Sequence, residues 1–171
     1  MGFFGKKKKG PSREVWRNER GEIACTGEYC PDGCMETCPI HMHTLAMALL
    51  RIGQPEKAAS LYRKALDIAP DFYDAWNNLG MIYGGMGSYR KAHDHYARAH
   101  TLKPQKPNPV FGLMRSSLDL GQYEECISWC DLYQTLSFDG QDRPIRDEAN
   151  KRLGRAVPLT KETLIRTCSH Y

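Results

Sequence analysis

Four cysteines fall within fourteen residues of this 171-residue chain, Cys25, Cys30, Cys34 and Cys38, and His41 and His43 follow at once. Thiolates at such short spacing can converge on one tetrahedral ion when the chain between them bends sharply. Gly27 and the turn Pro31-Asp32-Gly33 supply the bends. The spacing predicts a structural zinc on Cys25, Cys30, Cys34 and Cys38, with His41 or His43 able to replace one thiolate. Four protein ligands saturate such an ion and leave no position for a substrate, so the site is expected to be non-catalytic. Disulfides, an iron-sulfur cluster and unliganded thiols are the alternatives that the same residues leave open.

The remaining reactive residues read more plainly. Cys126 and Cys130 stand four apart inside a helical pattern at core positions, where small apolar packing is the expected role. Cys168 has no readable role. His93, His95 and His100 fall on one helical segment and are expected to be solvated side chains, and His170 is near the terminus. No Ser/His/Asp set, phosphate-cradling glycine loop or placed carboxylate pair is present to support catalysis, so the chain is not expected to be an enzyme.

Charge is distributed unevenly. The net charge is +4, but residues 1 to 20 hold seven Lys/Arg against two Asp/Glu, which leaves the rest of the chain near neutrality. That distribution does not provide the extended basic face that duplex nucleic acid requires. The Lys6 to Lys9 run marks residues 1–13 as a basic, disordered tail. No segment approaches the roughly 18 apolar residues of a transmembrane helix. The charges follow a very short apolar patch instead of preceding a long one, the reverse of a secretory leader. Lys6 also stands where a myristoylation signal after Gly2 wants Ser or Thr. A cytoplasmic chain is expected.

The elements that position these residues follow from a repeat of 34 residues. At that shift Leu45, Leu79 and Leu113 align, as do Gly53, Gly87 and Gly121, then Ala58, Ala92 and Cys126, then Tyr62, Tyr96 and Cys130. In the middle unit Trp76, Leu79, Ile82 and Tyr83 mark the buried face of a first helix, which Gly87 ends. Ala92, Tyr96 and Ala99 mark the inner face of a second, and Pro104 separates it from the next unit. A pair of helices cannot bury such faces alone, and three stacked pairs are about the minimum for a stable array. The expected fold is all-α, a right-handed solenoid of three helical hairpins at 39–72, 73–106 and 107–140. Asp142 is expected to cap a further helix over about 143 to 153, with Ile145, Ala149 and Leu153 on its inner stripe, so that residues 141–171 form a C-terminal cap and tail.

The pattern Trp76-x2-Leu79-Gly80-x2-Tyr83, Gly87-x-Tyr89-x2-Ala92-x3-Tyr96-x2-Ala99-x4-Pro104 resembles the tetratricopeptide repeat signature. The first unit has Met42 at the Trp position. The third departs furthest, with Val110, Met114, Ser117, Cys126 and Cys130 at signature positions. The resemblance implies a protein- or peptide-binding scaffold whose first helices line a concave groove. Carried over position by position, the groove residues are His43, Thr44 and Met47, then Asn77, Asn78 and Met81, then Phe111 and Arg115. A subgroup of the family grips the terminal carboxylate of heat-shock chaperones with two Lys, one Arg and two Asn. The matching positions here are His43, Met47, Asn78, Asn108 and Gly112, of which Asn78 alone agrees, so that ligand is not expected. The partner remains an unidentified protein or peptide.

The segment 14–38 resembles a zinc knuckle, in which a hairpin at Val15-Trp16-Arg17 and Glu22-Ile23-Ala24 would carry the cysteine turns. Such a knuckle would cap the open end of the first hairpin. Cys34-x3-Cys38-Pro39 also resembles the tail of a bacterial ferredoxin motif, although the preceding spacings differ. That resemblance implies the alternative function, an iron-sulfur or thiol-redox accessory protein.

Overall fold

The structure, a computed structural model, describes residues 38–155. The expected strands at 15–24, the ligands Cys25, Cys30 and Cys34, the basic tail and residues 156–171 of the C-terminal tail lie outside the described residues. Among those described there are seven helices and no strand: α1 (Pro39–Arg51), α2 (Pro55–Ile68), α3 (Tyr73–Gly85), α4 (Tyr89–Leu102), α5 (Pro107–Asp119), α6 (Tyr123–Leu136) and α7 (Asp142–Arg152). The starts of α1, α3 and α5 are spaced 34 residues apart, and so are those of α2, α4 and α6. The sequence period is thus the period of the hairpin.

One turn ends the first helix of every hairpin. Gly53, Gly87 and Gly121 carry φ of 73°, 73° and 74°, a left-handed backbone that only glycine adopts without steric cost. The residue after each glycine donates its N–H back to the carbonyl five residues earlier: Gln54 to Leu49 at 2.9 Å, Ser88 to Tyr83 at 2.8 Å and Gln122 to Ser117 at 2.8 Å. These bonds satisfy carbonyls that a helix C-terminus otherwise leaves open.

The chain divides into two compact units, Met1–Ile82 and Tyr83–Tyr171. In the first, α1 and α2 pack as a hairpin. Ala58, Tyr62 and Ala65 of α2 are fully buried, as are Ala46 of α1 and Leu79 of α3. Pro70 follows α2, and its carbonyl accepts the Trp76 indole N–H at 2.7 Å, which ties the turn to α3.

Leu45 departs from its register. Leu79 and Leu113 are fully buried, whereas Leu45 is 52% exposed on α1. The later leucines have a preceding hairpin to pack on, and α1 has none among the described residues.

In the second unit α5 packs on α4 and α6, and α7 closes on α5 and α6. Its core gathers Val110, Met114, Cys126, Cys130, Tyr133 and Ala149, with Ile145 packed against it. The weakest repeat in sequence is therefore a filled core. Its size order is inverted: Gly80 and Tyr83 of the middle repeat become Met114 and Ser117, while Tyr96 and Ala99 become Cys130 and Tyr133. Small replaces large and large replaces small in neighbouring positions, so total volume is kept, the condition under which cores tolerate repacking.

The expected cap at Asp142 is corrected. Asp142 opens α7 without a capping bond, and its side chain is fully buried. Gln134 Nε2 donates to Asp142 Oδ2 at 2.8 Å, and Arg146 Nε lies 3.7 Å from the same oxygen. Arg146 Nη1 also meets Asp131 of α6 at 2.7 Å. Asp139 shapes the turn instead, accepting the Gln141 N–H at 3.0 Å and the Tyr133 hydroxyl at 2.9 Å. A carboxylate that bridges two helices holds α7 in place more firmly than a solvent-exposed cap would.

Candidate functional site

The candidate groove residues occupy three columns at the 34-residue shift: His43, Asn77 and Phe111; Thr44, Asn78 and Gly112; Met47, Met81 and Arg115. All stand on the first helices α1, α3 and α5.

In the first unit these side chains separate by environment. Thr44 is exposed, with its hydroxyl bonded to the Ile40 carbonyl at 3.1 Å. Met81 is 46% exposed, and Met47 is half-buried. His43 turns inward: its Nδ1 is hydrogen-bonded to the Tyr62 hydroxyl at 3.3 Å, and its ring meets the rings of Tyr62 and Phe72 at 5.7 and 6.0 Å. The Asn78 side chain hydrogen-bonds to the same Tyr62 hydroxyl. His43 and Asn78 thus meet at Tyr62, a residue that the register marks only as core. Burial, and next the Asp74 carboxylate, push the Tyr62 phenol up to about 12, with the Asn78 bond opposing. The group stays neutral and serves as a hydrogen-bonding hub at physiological pH. The Asn77 side-chain oxygen is buried without a hydrogen-bond partner. An acceptor in that state costs free energy until a donor reaches it.

In the second unit Phe111 is half-buried, and its ring lies 5.8 Å from that of Tyr133. Gly112 is covered by the face of Tyr96. Burial pushes the Tyr96 phenol up to about 12, and the Arg115 guanidinium beside it works in the opposite direction. Arg115 itself is exposed. The same pairing recurs in both units: the tyrosine of a second helix lies against the residue of the Thr44, Asn78, Gly112 column on the next first helix. The columns and the Tyr62 and Tyr96 register carried this signal in the sequence, but not its geometry.

Of the predicted metal ligands, Cys38 is described. It sits half-buried at the N-cap position of α1, with its carbonyl accepting the Met42 N–H at 3.1 Å. His41 is half-buried. Among the described residues no group of three His, Cys, Asp or Glu gathers in a metal-binding arrangement. The test of the four-cysteine set therefore rests on residues outside the described range.

Cys126 and Cys130 are fully buried in the core, as their register implies. Cys130 Sγ donates to the Asp142 carbonyl at 3.9 Å, a weak contact. The bond between the two thiols holds Cys126 down, and that bond with burial pushes Cys130 up. The histidines of α4 are not simply solvated. His93 Nε2 lies 3.2 Å from Glu125 Oε1, His95 stacks on Tyr83 at 5.1 Å, and His100 meets the Trp129 ring edge-on at 5.6 Å. They fasten helices together, a use their spacing alone did not disclose.

Comparison with known proteins agrees with this geometry. Two family models, each described as tetratricopeptide repeat, match residues 73–106 and 42–82. Tetratricopeptide repeat protein 37 of Xenopus laevis is 32% identical over 93 residues, 53% of this chain and 5% of that protein. Superkiller complex protein 3 of Homo sapiens is 29% identical over 79 residues, 46% of this chain and 5% of that protein. The chain thus spans a small fraction of the length of these relatives. Among solved structures, MamA AMB-1 superposes with a TM-score of 0.64 at 21% identity, covering 76% of this chain and 69% of that one. A Thermobaculum terrenum O-GlcNAc transferase mutant superposes with a TM-score of 0.60 at 24% identity, covering 66% of this chain and 22% of that one. These likenesses show the fold. No helix among the described residues is long and apolar enough to cross a membrane.

Proposed function

We propose that this chain, which carries tetratricopeptide repeats over residues 42–106, is a non-catalytic scaffold that binds an extended segment of another protein along its first helices. Tetratricopeptide repeats bind protein partners, and the name of the human relative places that protein in a complex. The observation that carries the reading is Met81 and Arg115, exposed at one register of α3 and α5, while Leu79 and Leu113, two residues earlier, are fully buried. The methionine offers adaptable apolar contact and the guanidinium a bidentate donor for a carboxylate or a backbone carbonyl. In this reading the protein works in the cytoplasm. Peptides selected from a random library on the wild-type protein provide the test. Met81→Glu and Arg115→Glu variants should each bind them at least about tenfold more weakly, the scale of one lost anchor. Equal affinity would place the ligand elsewhere.

The cysteine segment belongs to the same reading as a structural zinc site on Cys25, Cys30, Cys34 and Cys38. What supports it is their spacing and the position of Cys38, held by the first turn of α1 at the point where the segment meets the hairpin. When bound, zinc would supply cross-linking energy to a segment too short for a core of its own. Metal analysis of the purified protein should give about one zinc per chain. A brown protein absorbing in the visible after anaerobic purification would assign an iron-sulfur cluster instead.

A further inference from the structure

The unburied side of α1 is the least explained surface in the first unit. Leu45, Ala48 and Ile52 recur at helical spacing, and all three are exposed, Leu45 at 52% and Ile52 at 67%. The repeat states what this side is for. At the same register Leu79 and Leu113 lose all contact with water, and α4, which precedes α5 in the chain, lies against it. Tyr62 of α2 reaching Asn78 of α3 is that arrangement in the first unit. The C-terminal end of the array is already closed by α7.

We infer that residues 14–37 of this chain cover the apolar side of α1 at Leu45, Ala48 and Ile52. Three observations select this occupant. The segment enters α1 directly at the half-buried Cys38, so docking needs no long connection. Its 24 residues reach on the order of 80 Å when extended, against about 20 Å for the length of α1. Charge is complementary: residues 21–37 hold Glu22, Glu28, Asp32 and Glu36 with no Lys or Arg, whereas α1 has Arg51 with no Asp or Glu. Val15, Trp16, Ile23, Tyr29 and Met35 supply apolar surface. The inference does not depend on the groove, nor on which metal the cysteines hold.

Native trypsin digestion of the full chain, read by mass spectrometry at Arg17 and Arg20, tests it. The double variant Leu45→Asp/Ile52→Asp should be cut there at least about tenfold faster than the wild type, because two buried aliphatic contacts are lost and cleavage follows the undocked population. Helical content by circular dichroism should be retained. If the aspartates unfold α1, Leu45→Ala/Ile52→Ala serves instead, with a smaller rise in the same cuts and an intact helical signal. Equal cleavage of wild type and the folded variant would overturn the inference. So would a concentration-dependent dimer of the wild type that these substitutions dissolve, which would give the surface to a second copy. Peptide binding through Met81 and Arg115 should be unchanged in these variants, which separates failure here from failure of the groove.

Discussion

The ring of Tyr96 in α4 lies directly over Gly112 of α5, so close that a Cβ placed on Gly112 would fall within the ring's van der Waals surface. The tyrosine of one hairpin and the missing side chain of the next are two halves of one contact.

Gly112→Ala should therefore destabilise the protein, against the usual gain of up to about 1 kcal/mol from replacing a helical glycine. Overpacking of this kind costs about 1–3 kcal/mol. Gly84→Ala is the control, because its Cβ would meet Ala92 at 3.8 Å, an ordinary contact. Thermal unfolding should move down for Gly112→Ala and stay level or rise for Gly84→Ala. A rise for both would mean that the Tyr96 ring can swing aside freely.

The inverted size order of the third hairpin predicts strong coupling. Tyr133→Ala alone should cost about 3–5 kcal/mol, the range for removing a buried aromatic. Cys130→Tyr alone should cost about 1–3 kcal/mol by overpacking. The double variant restores the tyrosine-alanine order of α4. Its loss should fall short of the sum by about 0.5–3 kcal/mol, as expected for residues sharing one space. Urea denaturation of the four proteins gives the cycle, and strict additivity would refute compensation.

Asp142→Ala removes the acceptor of the Gln134 amide and the carboxylate that faces Arg146, and should lower stability by about 2–4 kcal/mol. The loss should concentrate in α7, seen as faster amide exchange over residues 142–152. Asp139→Ala, by contrast, should loosen the preceding turn while leaving α7 protected.

The tyrosines set an alkaline limit. Tyr62 and Tyr96 are raised from 10.0 to about 12 in the folded chain, in both cases first by burial. The unfolded chain therefore releases these protons first, so the stability they contribute is fully present below pH 10 and is lost as pH rises towards about 12. Tyr62→Phe/Tyr96→Phe should flatten the fall in stability over that window by on the order of 1–2 kcal/mol. Melting temperatures from pH 9 to pH 11.5 measure it, and an unchanged slope would assign the fall to other groups.

Much of the fold was legible because a 34-residue period forces itself on the sequence. Gly53, Gly87 and Gly121 must adopt a left-handed backbone, and Leu79, Ala92 and Tyr62 must find a dry face. Each is a local demand that a single residue type reveals. The inward turn of His43 onto Tyr62, the covering of Gly112 by Tyr96 and the fastening of α4 by His93 and His100 were not legible. They depend on which side chain of a neighbouring hairpin arrives opposite. Asp142 shows the same limit: a carboxylate at a helix start reads as a cap until a partner helix brings Gln134 to it.

By itself, then, the sequence determined the helix pairs among the described residues and the 34-residue period that spaces them, since periodicity and glycine chemistry act within one helix pair. Only the tertiary structure decided which of those residues face solvent, how Met114, Ser117, Cys130 and Tyr133 share one core, and that Leu45 stands uncovered. Burial and hydrogen bonding are properties of side chains far apart in the chain, and a spacing rule carries no information about what lies across the gap.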